Sequence, residues 1–226
     1  MPNGLIFDVD GVLADTEPIS VRTLNQAFND LHGVILTNDD SLEYMGATAQ
    51  RHVGGLVQKY ELDADVEELI ALHESLFINE LAQTRDIAIS KSTDLLHEIA
   101  GDKDWCVGLA TSSTRTRSQK TMLACNVDVS VLTAWLTGDD ITKPKPDPEI
   151  YIACALAMGI SPSRCTVIED SVAGVTAAKA AGMNCIALTG TFPGEALRGA
   201  DRIVDSLSVV NKTMLYDMLH ESQEAD

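Results

Sequence analysis

The sequence has little positive charge. Its 226 residues include 16 lysines and arginines against 34 aspartates and glutamates, which gives a formal net charge of −18 at pH 7. A nucleic-acid-binding surface needs a concentration of basic side chains to neutralise phosphates. The one basic cluster, Arg115, Arg117 and Lys120, is typical of a solvated helix face. We therefore expect no nucleic-acid partner.

Long apolar runs and paired cysteine motifs are also absent. The longest apolar run, residues 150–160, is too short to cross a bilayer and is interrupted by Gly159. No basic region precedes an apolar stretch near the N-terminus, so no signal peptide is expected. The five cysteines are odd in number and form no C-x-x-C pattern, which favours buried free thiols in a reducing compartment. We expect a cytoplasmic protein with no membrane contact and no obligate protein partner.

The pattern of apolar residues changes along the chain and predicts two domains. After a first short strand, residues 18–84 show apolar side chains at helical spacing and no convincing strand. From about residue 85, short apolar strands alternate with helices. Such alternation is typical of a parallel sheet with helices on both faces. We predict an α/β fold, with a Rossmann-like doubly wound core (residues 1–17 and 85–226) and an inserted all-helical cap domain (residues 18–84).

The first predicted strand ends in two carboxylates. Residues 5–7 are apolar, and Asp8 and Asp10 follow them. Residues i and i+2 of an extended segment share a face, so both carboxylates point the same way. Gly11 then permits a sharp turn of the chain. Two like charges repel unless a cation lies between them, so the pair indicates a cation site, with an ordinary strand-ending turn as the alternative.

Polar side chains also follow the later strands. They are residues 111–113 after the next strand, Lys143 and Lys145 in the loop after the third, and Glu169 with Asp170 after the fourth. The carboxyl ends of parallel strands meet at one edge of the sheet, where ligands bind. Each feature alone has a structural explanation, such as a helix cap or a solvated lysine. It is much less expected that all of these side chains reach one edge of the sheet by chance. We therefore predict a functional site at that edge.

This set of groups fits phosphoryl transfer. Asp8 can attack phosphorus to form an aspartyl-phosphate. Asp10 can protonate the leaving oxygen and then activate water. Mg²⁺ prefers oxygen ligands, and the candidates are Asp8, Glu169, Asp170 and the carbonyl of Asp10.

Three further residues are candidates for holding the phosphoryl oxygens. The Thr111 hydroxyl and the Ser112 backbone N–H would form a small anion nest. Lys145 would add a positive charge to the same oxygens. Lys143 competes with Lys145 for this role.

At these residues the chain resembles the haloacid dehalogenase superfamily, in the branch with a helical cap inserted after the first motif. The four motifs match residues 8–17, 109–113, 145–151 and 167–174. The third match runs from Lys145 without a gap, which favours Lys145 over Lys143. The resemblance covers nearly the whole chain, and it implies a Mg²⁺ cofactor and a small phosphorylated metabolite as substrate.

Within that superfamily the chain is most similar to β-phosphoglucomutases and related sugar-phosphate phosphatases. Asp10 argues against a dehalogenase, because a departing halide needs no proton. The mutases carry a cap His where this chain has Ser20, and an Arg where it has Ala49, with Arg51 two residues further on. A mutase must bind a second phosphate, which needs positively charged side chains in the cap. Because this chain lacks them at the matching positions, we favour a phosphatase. A hexose-phosphate mutase is the alternative.

The resemblance also implies that the cap closes over the core during the reaction. Thr16 and Glu17 in the linker, and Gly46 and Arg51 in the cap, are candidate substrate residues, although Arg51 also fits a solvated helix position. A phospho-accepting signalling receiver gathers similar side chains at a sheet edge but is about half this length and has no cap insert. A binding protein without activity is a third alternative.

Overall fold

The computed structural model describes residues 2–37, 40 and 48–221. The chain divides into two compact units, Met1–Asp15 with Ile87–Asp226, and Thr16–Asp86. The sequence had placed these boundaries after residues 17 and 84. In the first unit the two connecting segments run side by side: the Asp15 N–H donates to the Ile87 carbonyl at 2.8 Å, and the Ile89 N–H donates to the Leu13 carbonyl at 2.9 Å.

The first unit is built on a six-stranded parallel sheet in the order β3-β2-β1-β4-β5-β6. Its strands are β1 (Asn3–Phe7), β2 (Trp105–Ala110), β3 (Ala134–Leu136), β4 (Cys165–Glu169), β5 (Asn184–Leu188) and β6 (Arg202–Val204). From β1 the chain builds β2 and β3 on one side and β4 to β6 on the other. A crevice for ligands forms where the strand order reverses in this way, outside the carboxyl ends.

Helices connect the strands and cover the sheet. The described residues of the first unit form α4 (Ser90–Ala100), α5 (Arg115–Ala124), α6 (Glu149–Met158), α7 (Val172–Ala180) and α8 (Lys212–Glu221). These elements confirm the predicted α/β fold with a doubly wound parallel sheet. The apolar spacing of residues 207–219 predicts one continuous helix, and this prediction is wrong in part. Leu207–Val209 is a 3₁₀ turn, and α8 starts only at Lys212, because the Asn211 side chain accepts a bond from the Met214 N–H at 3.0 Å and begins a new helix.

One hydrophobic cluster of the first unit lies between the central strands and two of the helices. Ile6 of β1, Val167 of β4 and Cys185 of β5 are buried against Tyr151 of α6 and Val175 of α7. Burial of such side chains is the main source of stability in a domain. The packing fixes the carboxyl ends of β1 and β4, and these ends carry the polar side chains of interest.

The second unit contains α1 (Glu17–His32), α2 (Ala49–Lys59) and α3 (Val66–Leu81), and its described residues form no strand. Helix α1 ends at Gly33, which has φ +66°, a conformation that favours glycine. The Asp65 side chain caps α3 by accepting bonds from two N–H groups of its first turn. The sequence also predicts a helix over residues 39–44, but these residues lie outside the described ones, apart from Asp40.

The structure bears on the expected free cysteines and on the expected lack of a membrane-spanning helix. All five cysteines are free, and four of them (Cys125, Cys154, Cys165 and Cys185) are buried, while Cys106 is half-buried. Across the described ranges, no helix combines the length and the apolar character needed to pass through a lipid bilayer.

Candidate active site

The turn after β1 lies directly against the turn after β4. Asp8 follows the last residue of β1, and its N–H donates to the Ile168 carbonyl of β4 at 3.0 Å. Gly11 has φ +77°, and a Cβ atom at this position would collide with Oδ2 of Asp170. Only glycine combines this backbone conformation with so close an approach. The structure therefore brings the first and last predicted motifs together.

Lys145 is buried between two carboxylates. Its Nζ lies 2.6 Å from Oδ1 of Asp8 and 2.7 Å from Oε1 of Glu169, and it donates to the Ala110 carbonyl at 3.2 Å. Burial lowers the pKa of Lys145, but the charges of Asp8 and Glu169 outweigh this and hold the pKa above its ordinary value. Lys145 is therefore a permanent positive charge beside Asp8.

The competing lysine lies elsewhere. The side chain of Lys143 is 70% exposed, against 4% for Lys145, and its Nζ lies 3.9 Å from Oδ2 of Asp147. Spacing alone left both lysines as candidates, and the structure brings only Lys145 to the carboxylates.

Glu169 is fully buried, and both of its carboxylate oxygens are occupied. Oε1 accepts from Lys145 Nζ and from the Tyr151 hydroxyl, each at 2.7 Å. Oε2 accepts from the N–H groups of Asp170 and Ser171 and from the Ser171 hydroxyl, each at 2.9 Å. The sequence placed Glu169 among the metal ligands. The structure instead shows a carboxylate that is saturated by donors of its own chain and that holds Lys145.

Dense packing explains this orientation of Glu169. A Cβ atom on Gly174 would collide with its carboxylate, so the first turn of α7 lies directly on the side chain. Burial raises the pKa of Glu169, but the charge of Lys145 together with the hydrogen bonds from Lys145, Ser171 and Tyr151 lowers it below its ordinary value, so the group stays ionised. A buried carboxylate with this many donors orients its neighbours.

Asp8 and Asp170 are buried carboxyl groups in a region with more acidic than basic side chains. Burial raises the pKa of Asp8 to about 7; Lys145 opposes this rise, and Glu169 and Asp10 add to it. Burial, Glu169 and Asp8 raise the pKa of Asp170 well above its ordinary value, although the Thr191 hydroxyl donates to its Oδ2. A single lysine does not neutralise these acids, and a cation between them would relieve the repulsion.

The donor set fits Mg²⁺. Among the side chains that the structure describes, no three from His, Cys, Asp and Glu converge as a complete metal site. Mg²⁺ does not need one, because it keeps several waters and binds through one or two carboxylates together with substrate phosphate. Asp8 and Asp170 can supply the two carboxylates, and the carbonyl of Asp10 can supply a further oxygen.

Asp10 faces the loop after β2. Its Oδ2 accepts from the Ser113 hydroxyl at 2.7 Å and from the Thr111 hydroxyl at 3.4 Å. The Thr111 hydroxyl also accepts from the Ser113 N–H at 3.1 Å. The Ser112 carbonyl lies so close to Gly138 that a Cβ atom there would be 2.6 Å away. The second motif therefore meets the first through hydrogen bonds to Asp10.

Four polar residues at this edge received no role in the sequence analysis. They are Ser113, which contacts Asp10; Tyr151 and Ser171, which contact Glu169; and Thr191, which contacts Asp170. The first three lie inside the matched motifs, next to charged residues that have a more obvious chemical role. Thr191 follows the end of β5, and the rule that ligands bind at strand ends would have pointed to it.

The four candidate substrate residues of the linker and cap belong to the second unit, and one of them lies outside the described residues. Thr16 is buried at the start of α1, where its side chain makes no capping bond, and Glu17 is the first residue of that helix. Arg51 is exposed in the first turn of α2, which the Thr48 side chain caps. Gly46 lies outside the described residues. Their contact with substrate stays a prediction.

Comparison with protein families matches residues 5–188 to a model described as haloacid dehalogenase-like hydrolase. The matched range includes the whole of the cluster from Asp8 to Asp170. It therefore covers the polar groups at the sheet edge and most of the sheet, but not β6.

Curated proteins with related sequences include a phosphatase and a mutase. The chain is 28% identical to validoxylamine A 7'-phosphate phosphatase of Streptomyces hygroscopicus subsp. limoneus, over 91% of this chain and 94% of that protein. It is 30% identical to β-phosphoglucomutase of Bacillus subtilis (strain 168), over 97% of this chain and 95% of that protein. It is also 30% identical to the chloroplastic protein SUPPRESSOR OF QUENCHING 1 of Arabidopsis thaliana, but spans only 19% of its length.

A solved structure has the same fold over nearly the full length. The crystal structure of CbbY from Rhodobacter sphaeroides in complex with phosphate matches with a TM-score of 0.87. The match covers 96% of this chain and all of that chain, at 24% sequence identity.

Proposed function

The chain belongs to the haloacid dehalogenase-like hydrolase family and is a phosphoric monoester hydrolase, and we propose that it is a Mg²⁺-dependent phosphatase of a small sugar phosphate. One observation supports this most directly: Lys145 Nζ lies 2.6 Å from Asp8 and 2.7 Å from Glu169, at the carboxyl edge where β1 meets β4. A nucleophilic carboxylate with a fixed cation beside it is what attack on a dianionic phosphate requires.

We assign the metal to Asp8, Asp170 and the carbonyl of Asp10. When bound there, Mg²⁺ supplies positive charge to the phosphoryl oxygens. Glu169 is left out of this set because its oxygens are occupied, and we propose that it holds Lys145 in place. The Thr111 hydroxyl, the Ser112 N–H and Lys145 hold the remaining phosphoryl oxygens.

The first step transfers the phosphoryl group to the protein. A carboxylate oxygen of Asp8 forms a bond to phosphorus, and the bond from phosphorus to the ester oxygen breaks. The electron pair of that bond stays on the ester oxygen, which takes the proton of Asp10 and leaves as an alcohol. Asp8 becomes an aspartyl-phosphate, and Asp10 becomes a carboxylate.

The second step returns the site to its starting state. Asp10, now a carboxylate, takes a proton from water as the water oxygen bonds to phosphorus. The bond from phosphorus to Asp8 breaks, and inorganic phosphate leaves. Asp8 is again a carboxylate, and Asp10 is again protonated for the next ester.

A hexose-phosphate mutase is the second candidate, favoured by the 30% identity to β-phosphoglucomutase of Bacillus subtilis. Both activities share the first step, and they differ in whether water or a second sugar hydroxyl accepts the phosphoryl group. The family assignment leaves no support for a signalling receiver.

Incubation of the wild-type protein with a panel of phosphate esters tests the proposal. We expect release of inorganic phosphate from hexose 1- and 6-phosphates with Mg²⁺, and loss of that release when EDTA removes the metal. Nucleotides and short phosphorylated acids serve as comparison substrates. Accumulation of an isomeric hexose phosphate without free phosphate would identify a mutase. Equal release with and without metal would contradict the proposed Mg²⁺ site.

Asp10→Asn should slow the hydrolysis of sugar phosphates by about 10²- to 10⁴-fold, the usual contribution of general acid–base catalysis. The amide keeps the shape of the side chain but cannot give up or accept the proton. Steady-state phosphate release measures the effect, and circular dichroism checks that the variant is folded. An unchanged rate would remove Asp10 from this role.

A further inference from the structure

We propose that Ser113 is a positioning residue for Asp10 and fixes the carboxyl group that protonates the leaving oxygen. This inference rests on the proposed function, because it assigns Ser113 a part in the same reaction. The two side chains are in direct contact, with 2.7 Å from Ser113 Oγ to Asp10 Oδ2.

The Ser113 backbone is held in place on both sides. Its N–H donates to the Thr111 hydroxyl at 3.1 Å, and its carbonyl accepts from the Gly138 N–H at 3.0 Å. The Ser113 hydroxyl is therefore attached to a backbone position that hydrogen bonds hold in place in the loop after β2. Asp10 is only half-buried in the turn after β1, and a carboxyl group in that situation has several rotamers open to it. The bond from Ser113 selects among them.

A hydroxyl suits this task for a chemical reason. Asp10 must alternate between a carboxylic acid and a carboxylate during each turnover. A serine hydroxyl can donate to Oδ2 of Asp10 in both forms, because a carboxylic acid keeps one acceptor oxygen, and the other oxygen is then left to carry the proton toward the ester. A lysine or arginine at this place would add a positive charge, which favours the carboxylate over the acid. Thr111 contributes a longer contact of 3.4 Å and is less suited to fix the group.

The role predicts a dependence on the leaving group. An alkyl phosphate, such as a hexose phosphate, expels an alkoxide that needs the proton of Asp10. 4-Nitrophenyl phosphate expels a phenolate that is stable as an anion and does not need it. Misplacing Asp10 therefore slows phosphoryl transfer from the first ester only. General damage to the site slows transfer from both.

The test uses the full chain with Mg²⁺ and single-turnover rapid-quench measurements of the transfer step. We expect Ser113→Ala to slow transfer from the alkyl ester by about 10- to 100-fold, the range for a lost hydrogen bond to a charged group. Transfer from 4-nitrophenyl phosphate should stay within about twofold of wild type. Ser113→Thr, which keeps the hydroxyl, should restore the alkyl rate. Thr116→Ala, an exposed change in the same segment, is the matched control and should change neither rate.

Equal slowing with both esters would show a structural role and overturn the inference, as would an unchanged alkyl rate. Failure of Ser113→Thr to restore that rate would overturn it as well. Failure of the proposed function gives a different result, because the wild-type protein would then transfer phosphate from neither ester.

Discussion

Replacing Asp8 by asparagine should lower phosphate release by about 10⁴-fold or more, since it removes the nucleophile and one proposed metal ligand together. The fold should survive the change. Burial raises the pKa of Asp8 to about 7, so its negative charge is costly in the folded protein, and an amide of nearly the same shape lacks that cost. Lys145 keeps its contact with Glu169 in the variant.

Two measurements test this expectation. Steady-state phosphate release gives the activity, and rapid quench with a ³²P-labelled ester shows whether labelled protein forms. Asp104→Asn is a suitable control, because Asp104 is an exposed carboxylate next to the start of β2, at the opposite edge of the same sheet. Wild-type-like activity or labelled protein in Asp8→Asn would contradict the covalent route.

Replacing Lys145 by methionine should damage both stability and activity. The change leaves Asp8 and Glu169 as buried carboxylates without their shared cation, and removal of one partner from a buried ion pair costs about 3–5 kcal/mol. It also removes the donor that we propose for the phosphoryl oxygens, and loss of such a donor lowers kcat by about 10²- to 10³-fold. Urea unfolding measures the free energy of unfolding, and phosphate release measures the activity.

The neighbouring lysine provides the matched control. Lys143→Met has the same chemistry two residues away, on a side chain that is 70% exposed and has only a 3.9 Å contact with Asp147. Exposed ion pairs contribute little, so both measurements should stay close to wild type. Equal effects of the two substitutions would refute the placement of the buried lysine at the site.

Much of the site followed from the geometry of parallel strands. Asp8, Thr111 and Asp170 were identified because each follows an apolar run, and because the carboxyl ends of such runs meet at one edge. That rule depends only on strand direction, which the alternation of strand and helix indicates. It needs no knowledge of how side chains pack, and for that reason it can be applied to the sequence alone.

The orientation of Glu169 could not be obtained in this way. Its spacing next to Asp170 suggests a metal ligand, but the packing of Gly174 and the hydroxyl of Tyr151 direct the carboxylate to Lys145. These contacts arise between separate elements and leave no periodic signal. The Ser113 contact with Asp10 has the same origin, since it joins two strands about 100 residues apart in the chain. The break before α8 depends on a local cap at Asn211, which the apolar spacing concealed.

The paired segments that flank the second unit have an evolutionary consequence. Because Leu13 is hydrogen bonded to Ile89, and Asp15 to Ile87, the chain leaves and re-enters the sheet domain at nearly the same point. An insertion with adjacent ends adds little loop-closure entropy to its host. The host can therefore accept inserts of different size or sequence without rebuilding its own topology, so descendants of one catalytic scaffold can diversify by exchanging what lies between these two anchor points.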